Sequence, residues 1–134
     1  MPDRPVRIQL RRTKGFNLQA VSLALNGLPA VNVARPGRFG NRYVAMPCFD
    51  HGGFPALDLP PFKAATTTDA IAEGRRIAVA LHRHDWKVAL AGPGRSAARA
   101  ALDELRGRNL ACWCGVGELC HGDDLLDLAN GEGA

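Results

Sequence analysis

The chain has 134 residues, 46% of them apolar and 22% charged, with four cysteines and a formal charge of +4. That length suits a single α/β domain, 1–134, with its own core, and composition gives no reason to divide it. No run approaches the roughly 18 apolar residues of a membrane span, and Met1 to Pro5 lacks a signal peptide's apolar segment, so the expectation is a cytoplasmic protein with reduced thiols and no membrane partner.

Basic residues are unevenly spread. Arg4, Arg7, Arg11, Arg12 and Lys14 crowd the start, Arg35, Arg38 and Arg42 follow, and the acids gather late. The asymmetry fits a phosphate-bearing partner, either a nucleotide or nucleic acid, and it equally fits a solvated basic face. Aromatic residues make up 6% of the chain and none alternate with the basic ones, so a single-strand stacking platform is not indicated.

In chain order, Val6 to Leu10 alternates apolar and polar residues as a half-buried strand does, and leads into the basic turn Arg11 to Gly15. Val21 to Leu25 is too short to type. Leu28 to Ala34 reads as a second strand, stopped by Pro36 and Gly37. A Pro/Gly-rich excursion without sustained period covers about 43–67, a length at which loops tend to be functional or mobile. Thr68 and Asp69 offer a helix start, and Ile71, Ile77, Ala78 and Leu81 continue the helix to about His84, with His82 and His84 at its exposed polar end. Over Trp86 to Ala91 strand and helix fit equally well. Gly94 to Ser96 opens a helix over Ala97 to Leu105 whose buried face is Ala98, Ala101, Leu102 and Leu105. Gly92 to Arg95 before it lacks the lysine and hydroxyl of a phosphate-binding loop and reads as an ordinary turn.

The densest chemistry lies in Asn109-Leu-Ala-Cys-Trp-Cys114, followed by Cys120-His121. With period two, Leu110, Cys112 and Cys114 share one strand face and Ala111 and Trp113 the other. Gly115 to Gly117 forms a turn, and a helix begins near Cys120 to Asp123 with Leu125, Leu126 and Leu128 as its apolar stripe. Cys120 and His121 then sit at a helix amino terminus, where free N–H groups lower a thiol's pKa and favour anions. Cys112 reads as a packed core residue. A disulfide between Cys114 and Cys120 is one use of the remaining thiols. The C-x-C spacing and the adjacency of Cys120 to His121 argue against an ordinary zinc finger. A three-ligand zinc site from Cys114, Cys120 and His121 and a metal-free polar site from the same residues fit equally.

A second constellation runs from Arg35 to Arg42. Arginine forks pair with phosphate or carboxylate, Gly37 and Gly40 let a ligand approach the backbone, and Asn41 offers a donor and an acceptor to a base edge. These are the parts of a nucleotide pocket, and equally of a turn with solvated arginines.

Arg12-Thr-Lys-Gly-Phe16, Arg35 to Asn41, and Leu105 to Cys114 with Cys120-His121 together resemble domain of unknown function 4326, a family of small bacterial and phage proteins. The resemblance runs from about Arg7 to Asn130. Arg42 and Tyr43 depart from it, since the family continues with proline and an aromatic residue there, and the middle between Tyr43 and Thr68 is longer than usual. The resemblance implies a Rossmann-like sheet flanked by helices, with both motif segments in one site, and no established general reaction.

The resulting expectation is a small enzyme acting by hydrolysis or group transfer on a nucleotide, nucleobase or nucleic-acid derivative, in phage or bacterial nucleic-acid modification. Arg12, Lys14, Arg35 and Arg38 would hold an anion, Gly40 would admit it to the backbone, and Asn41 would orient a base or sugar. Cys120 would serve as nucleophile or metal ligand, His121 as acid/base or second ligand, and Cys114 beside them as a catalytic thiol or a ligand. The alternatives are a non-catalytic nucleic-acid-binding module stapled by zinc, and a sensor that binds a nucleotide unchanged.

Overall fold

The computed structural model describes residues 4–115 and 118–131, so Val116 and Gly117 of the expected turn lie outside the described residues. Three short strands, β1 (Arg7–Gln9), β2 (Ala30–Asn32) and β5 (Asn109–Cys112), form a parallel sheet in the order β1-β5-β2. Backbone bonds from Leu10 N to Cys112 O and from Val33 N to Ala111 O, both 2.8 Å, extend the ladder towards the carboxyl ends. The middle strand β5 is buried at all four positions, as a parallel strand flanked on both edges and covered by helices must be. Leu110, Val33, Leu105 and Leu125 are among its fully buried neighbours, and the core lies between the sheet and the helices.

Each crossover has a physical reason. The helix α1 (Leu18–Asn26) starts where the Asn17 side chain accepts a bond from Ala20 N and stops at Gly27, whose φ of 77° suits only glycine at low cost. Its Val21, Leu23 and Leu25 are exposed and only Ser22 is buried, which explains why the segment carries no amphipathic signature. The helix α2 (Thr67–Ala91) is capped by the Thr66 hydroxyl accepting from Asp69 N, and it continues through Trp86–Ala91 to the Gly92 stop. The cap therefore falls two residues before the expected Thr68, and the helix ends two turns beyond His84. The helix α3 (Arg95–Asp103) buries Ala98, Ala101 and Leu102, and Leu105 follows it into the core as expected. The last helix, α4 (His121–Asn130), begins where expected, with Cys120 as its cap.

The 43–67 segment holds more order than a period-free loop. It carries an antiparallel pair, β3 (Asp50–His51) and β4 (Phe62–Lys63), with a 3-10 turn at Pro55–Leu57 between them. Strands of two residues are too short to show alternation. The ribbon is pinned to α2 by His51 Nε2 and Glu73 Oε2 at 2.6 Å, both side chains being more than nine-tenths buried. Gly53 N donates to His51 Nδ1 at 3.0 Å, so Nε2 carries the ring proton and donates to the carboxylate. Gly74 lets the preceding loop cross α2, because a Cβ there would meet the Met46 carbonyl oxygen at 1.7 Å.

Asn109, which opens the Cys-bearing strand, is a fully buried hub. It donates to Ser22 Oγ and Asn26 Oδ1 at 2.8 Å and accepts from Val6 N at 2.9 Å, so it ties α1, β1 and β5 together. The preceding turn is equally structural. Arg106 Nε donates to Ala129 O, and Gly107 N donates to the Asn130 side chain, closing the end of α4. Among the described residues no helix is long and apolar enough to cross a membrane.

Candidate functional site

Because β2 and β5 run parallel and in register, their carboxyl ends deliver Ala34-Arg35 and Cys112 to Cys114 to the same edge of the sheet. This is where open α/β sheets place their ligands. The amino terminus of α4 returns to the same edge, carrying Cys120 and His121.

Cys112, Cys120 and His121 are all buried, and their ligand atoms lie within 4.8 Å of one another. The Cys112 and Cys114 sulfurs are 3.8 Å apart, and Cys120 Sγ is 3.8 Å from His121 Nδ1. These four side chains are so disposed that a metal ion could be held among them. Cys112 is thus both the core residue its position suggested and a member of the cluster. The C-x-C spacing on one strand face was the available signal, since it directs both thiols to the same side. All four cysteines are free thiols.

Mutual hydrogen bonding splits their acidities. Bonds from Cys114 and then Cys120 push the Cys112 thiol far down, while the bonds to Cys112 push Cys120 and Cys114 up.

The loop between Cys114 and α4 is held by Arg7, whose side chain is only 7% exposed. It donates to the carbonyls of Cys114, Gly115 and Glu118 at 2.8, 2.7 and 3.2 Å and pairs with Asp123 at 3.0 Å. Nothing in an alternating strand separates such an arginine from a solvated one, so its role was not legible in the sequence. Glu118 completes the clamp by bonding Gly115 N and Arg75, and the Arg75 guanidinium holds the Glu118 carboxyl below its usual range.

A cavity of about 230 Å³ opens over the cluster. Arg35 and Asn41 line it from the first motif, and Cys112, Cys114, Cys120 and His121 from the second. Trp113, Tyr43 and Arg75 complete the polar and aromatic wall. Arg35 is exposed and lies against Gly40, where a Cβ would come within 2.9 Å of its Cα and Cγ. Arg12 stacks over the Trp113 ring, 4.8 Å from its centroid, at the same rim.

The other expected residues have different places. The Asn41 amide is committed, donating to Ala78 O at 3.1 Å and accepting from Tyr43 N at 2.9 Å, so it fixes the loop on α2. Arg38 is paired with Glu104 at 2.7 Å. Arg38 and Gly40 both face a neighbouring groove rather than this cavity. Lys14 is exposed. His82, expected in solvent, is 6% exposed, its ring centroid 5.0 Å from that of His121 in an edge-on arrangement, because α2 continues past it for two more turns. Burial, and then the neighbouring His121, push its pKa down to about 4. His84 is half-buried.

A small α/β fold that gathers a buried thiol–imidazole cluster and an arginine loop at the carboxyl edge of a parallel sheet has the layout of a ligand-binding or catalytic domain. The chain belongs to the family described as Domain of unknown function (DUF4326), whose model matches residues 8–131. No curated protein and no solved structure matches it.

Proposed function

We propose that the protein is a small cytoplasmic enzyme that acts on a nucleotide, nucleobase or nucleic-acid derivative by hydrolysis or group transfer, on a reduced Rossmann-like scaffold. The observation that carries the reading is the shared cavity, which Arg35, Trp113 and Tyr43 line together with the Cys/His cluster. A guanidinium suits a phosphate, and an aromatic wall suits a base.

In this reading Arg35 anchors the anionic group, with Arg12 at the rim and Arg75 across the cavity. Asn41 acts by shaping the wall. Cys120 and His121 are 1% and 5% exposed, which favours a holding role for them over free nucleophilic attack, and Cys114 is the half-buried thiol that faces the ligand. A cation in the cluster would be zinc by the softness of its donors, and would supply Lewis-acid chemistry there.

The experiment is incubation with a panel of 5′-mononucleotides, nucleosides and free bases, with products read by mass spectrometry. Turnover that disappears in Cys120→Ser and His121→Ala is expected, and full activity in both variants would refute the assignment. The burial of Cys120 and His121 also favours a second reading, a zinc-stapled module that binds nucleic acid without catalysis. Salt-dependent binding of an oligonucleotide with no product from any of the panel would select it.

A further inference from the structure

We infer that Cys112, Cys114, Cys120 and His121 together hold one divalent cation of the zinc class, as three thiolates and one imidazole, with Cys114 the ligand on the cavity side. The set differs from the three residues that sequence spacing suggested, because it takes Cys112 out of a purely packing role.

Two edges of the tetrad can be compared with what an ion would require. Zinc–sulfur bonds of about 2.3 Å place two thiolates of a tetrahedron about 3.8 Å apart, and a zinc–nitrogen bond of about 2.0–2.1 Å places sulfur and nitrogen about 3.6 Å apart. The Cys112–Cys114 sulfurs stand at 3.8 Å, and Cys120 Sγ and His121 Nδ1 at 3.8 Å. The remaining spacings among Cys112, Cys120 and His121 stay within 4.8 Å, which a small inward movement would close.

The imidazole is also prepared for the task. His121 Nε2 lies 2.8 Å from Val33 O, so the proton resides on Nε2 and the Nδ1 lone pair is left for the cluster. Metal-bound histidines are oriented by a carbonyl or carboxylate in this way. Arg7 fixes the backbone at Cys114 and after it by bonding its carbonyl and those of Gly115 and Glu118. Strand, loop and helix each contribute ligands, so the ion would join β5 to α4 across the loop. All four line the cavity, but Cys112 and Cys120 are 5% and 1% exposed whereas Cys114 is half-buried, which makes it the ligand that a substrate atom or water would displace. This last step rests on the proposed function, whereas the binding of the ion does not.

The test is titration of the reduced, untagged full chain with cobalt(II), followed by its absorption spectrum. One cobalt per chain is expected, with tetrahedral bands and a three-thiolate charge-transfer band. Cys114→Ser should keep one cobalt, with the charge-transfer intensity reduced to about two thirds, one thiolate of three being gone. Azide, added as a small anionic probe, should then shift the bands. Cys120→Ser and His121→Ala should weaken cobalt binding beyond the roughly 10–100-fold that loss of an outer-shell partner costs.

Because Cys112→Ser sits in the core and can fail to fold, the unmutated protein loaded with cadmium supplies a second reading. A single cadmium resonance in the range of three sulfur donors supports the tetrad. No stoichiometric cobalt, a two-sulfur cadmium resonance, or a Cys114→Ser spectrum identical to wild type would each overturn it. None of these readouts uses a nucleotide, so failure of the nucleotide panel leaves the metal result standing, and the reverse also holds.

Discussion

His121 Nε2 donates to the carbonyl oxygen of Val33 at 2.8 Å, so the end of β2 sets the ring orientation of a residue at the start of α4. A carbonyl can only accept, so the neutral ring carries its proton on Nε2. Long-range proton–nitrogen NMR should find the Nε2–H tautomer at His121, with Nδ1 unprotonated. An Nδ1–H ring would mean that the cluster-facing nitrogen is a donor, contrary to the geometry described.

Asn109 should be among the least replaceable residues outside the cavity. Asn109→Leu removes partners from Val6 N, Ser22 Oγ and Asn26 inside the protein. Four side-chain hydrogen bonds are lost, each worth about 0.5–1.5 kcal/mol net, so a loss of at least about 2 kcal/mol is expected in urea unfolding. A loss below about 1 kcal/mol would show that these groups find other partners.

That hub also shows how far the sequence was legible. The parallel-strand segments, the α3 face from Ala98 to Leu105 and the start of α4 at Cys120 follow from periodicity and capping, because each is a local pattern. Arg7 and Asn109 are set by partners about 100 residues away, as when Arg7 bonds Cys114 O or Asn109 bonds Val6 N, and no window along the chain contains both ends. His82 was misplaced for a related reason. Trp86 to Ala91 fits strand and helix equally, so periodicity ends the helix at His84 and leaves its last turn in solvent. The meeting of Arg35 with the Cys/His cluster follows from β2 and β5 ending at one edge, which is a property of sheet order.

The His51–Glu73 pair should be costly to break and cheaper to remove whole. His51→Ala leaves a buried carboxylate facing only Arg76 at 3.3 Å and is expected to cost about 3–5 kcal/mol. The double variant His51→Ala, Glu73→Leu should recover part of that loss by removing the stranded charge. A loss in the double variant equal to the sum of those of His51→Ala and Glu73→Leu in chemical unfolding would show that the two side chains act independently.

Asp124 carries an opposite signature in pH. Burial holds its carboxyl above the ordinary range against the pull of Arg83, and its Oδ2 has no partner. The folded state therefore binds the proton more tightly than the unfolded chain, and stability falls as pH rises from the ordinary carboxylate pKa to the raised one. Relative to wild type, Asp124→Asn should gain stability as pH rises from the ordinary carboxylate pKa through the raised one, and hold the gain above that. A difference that does not change across this range in thermal unfolding would contradict the assignment.

In the proposed function, one cavity at the sheet edge joins Arg35 to the Cys/His cluster around an anionic, nucleotide-like ligand. Calorimetric titration of the mononucleotide panel into wild type and Arg35→Ala tests it most directly. At least one mononucleotide should bind wild type, and the substitution should weaken that binding by about 10–100-fold, the loss of a charge-assisted hydrogen bond worth about 1.5–3 kcal/mol. Absence of binding across the panel, or binding unchanged by Arg35→Ala, would contradict the account.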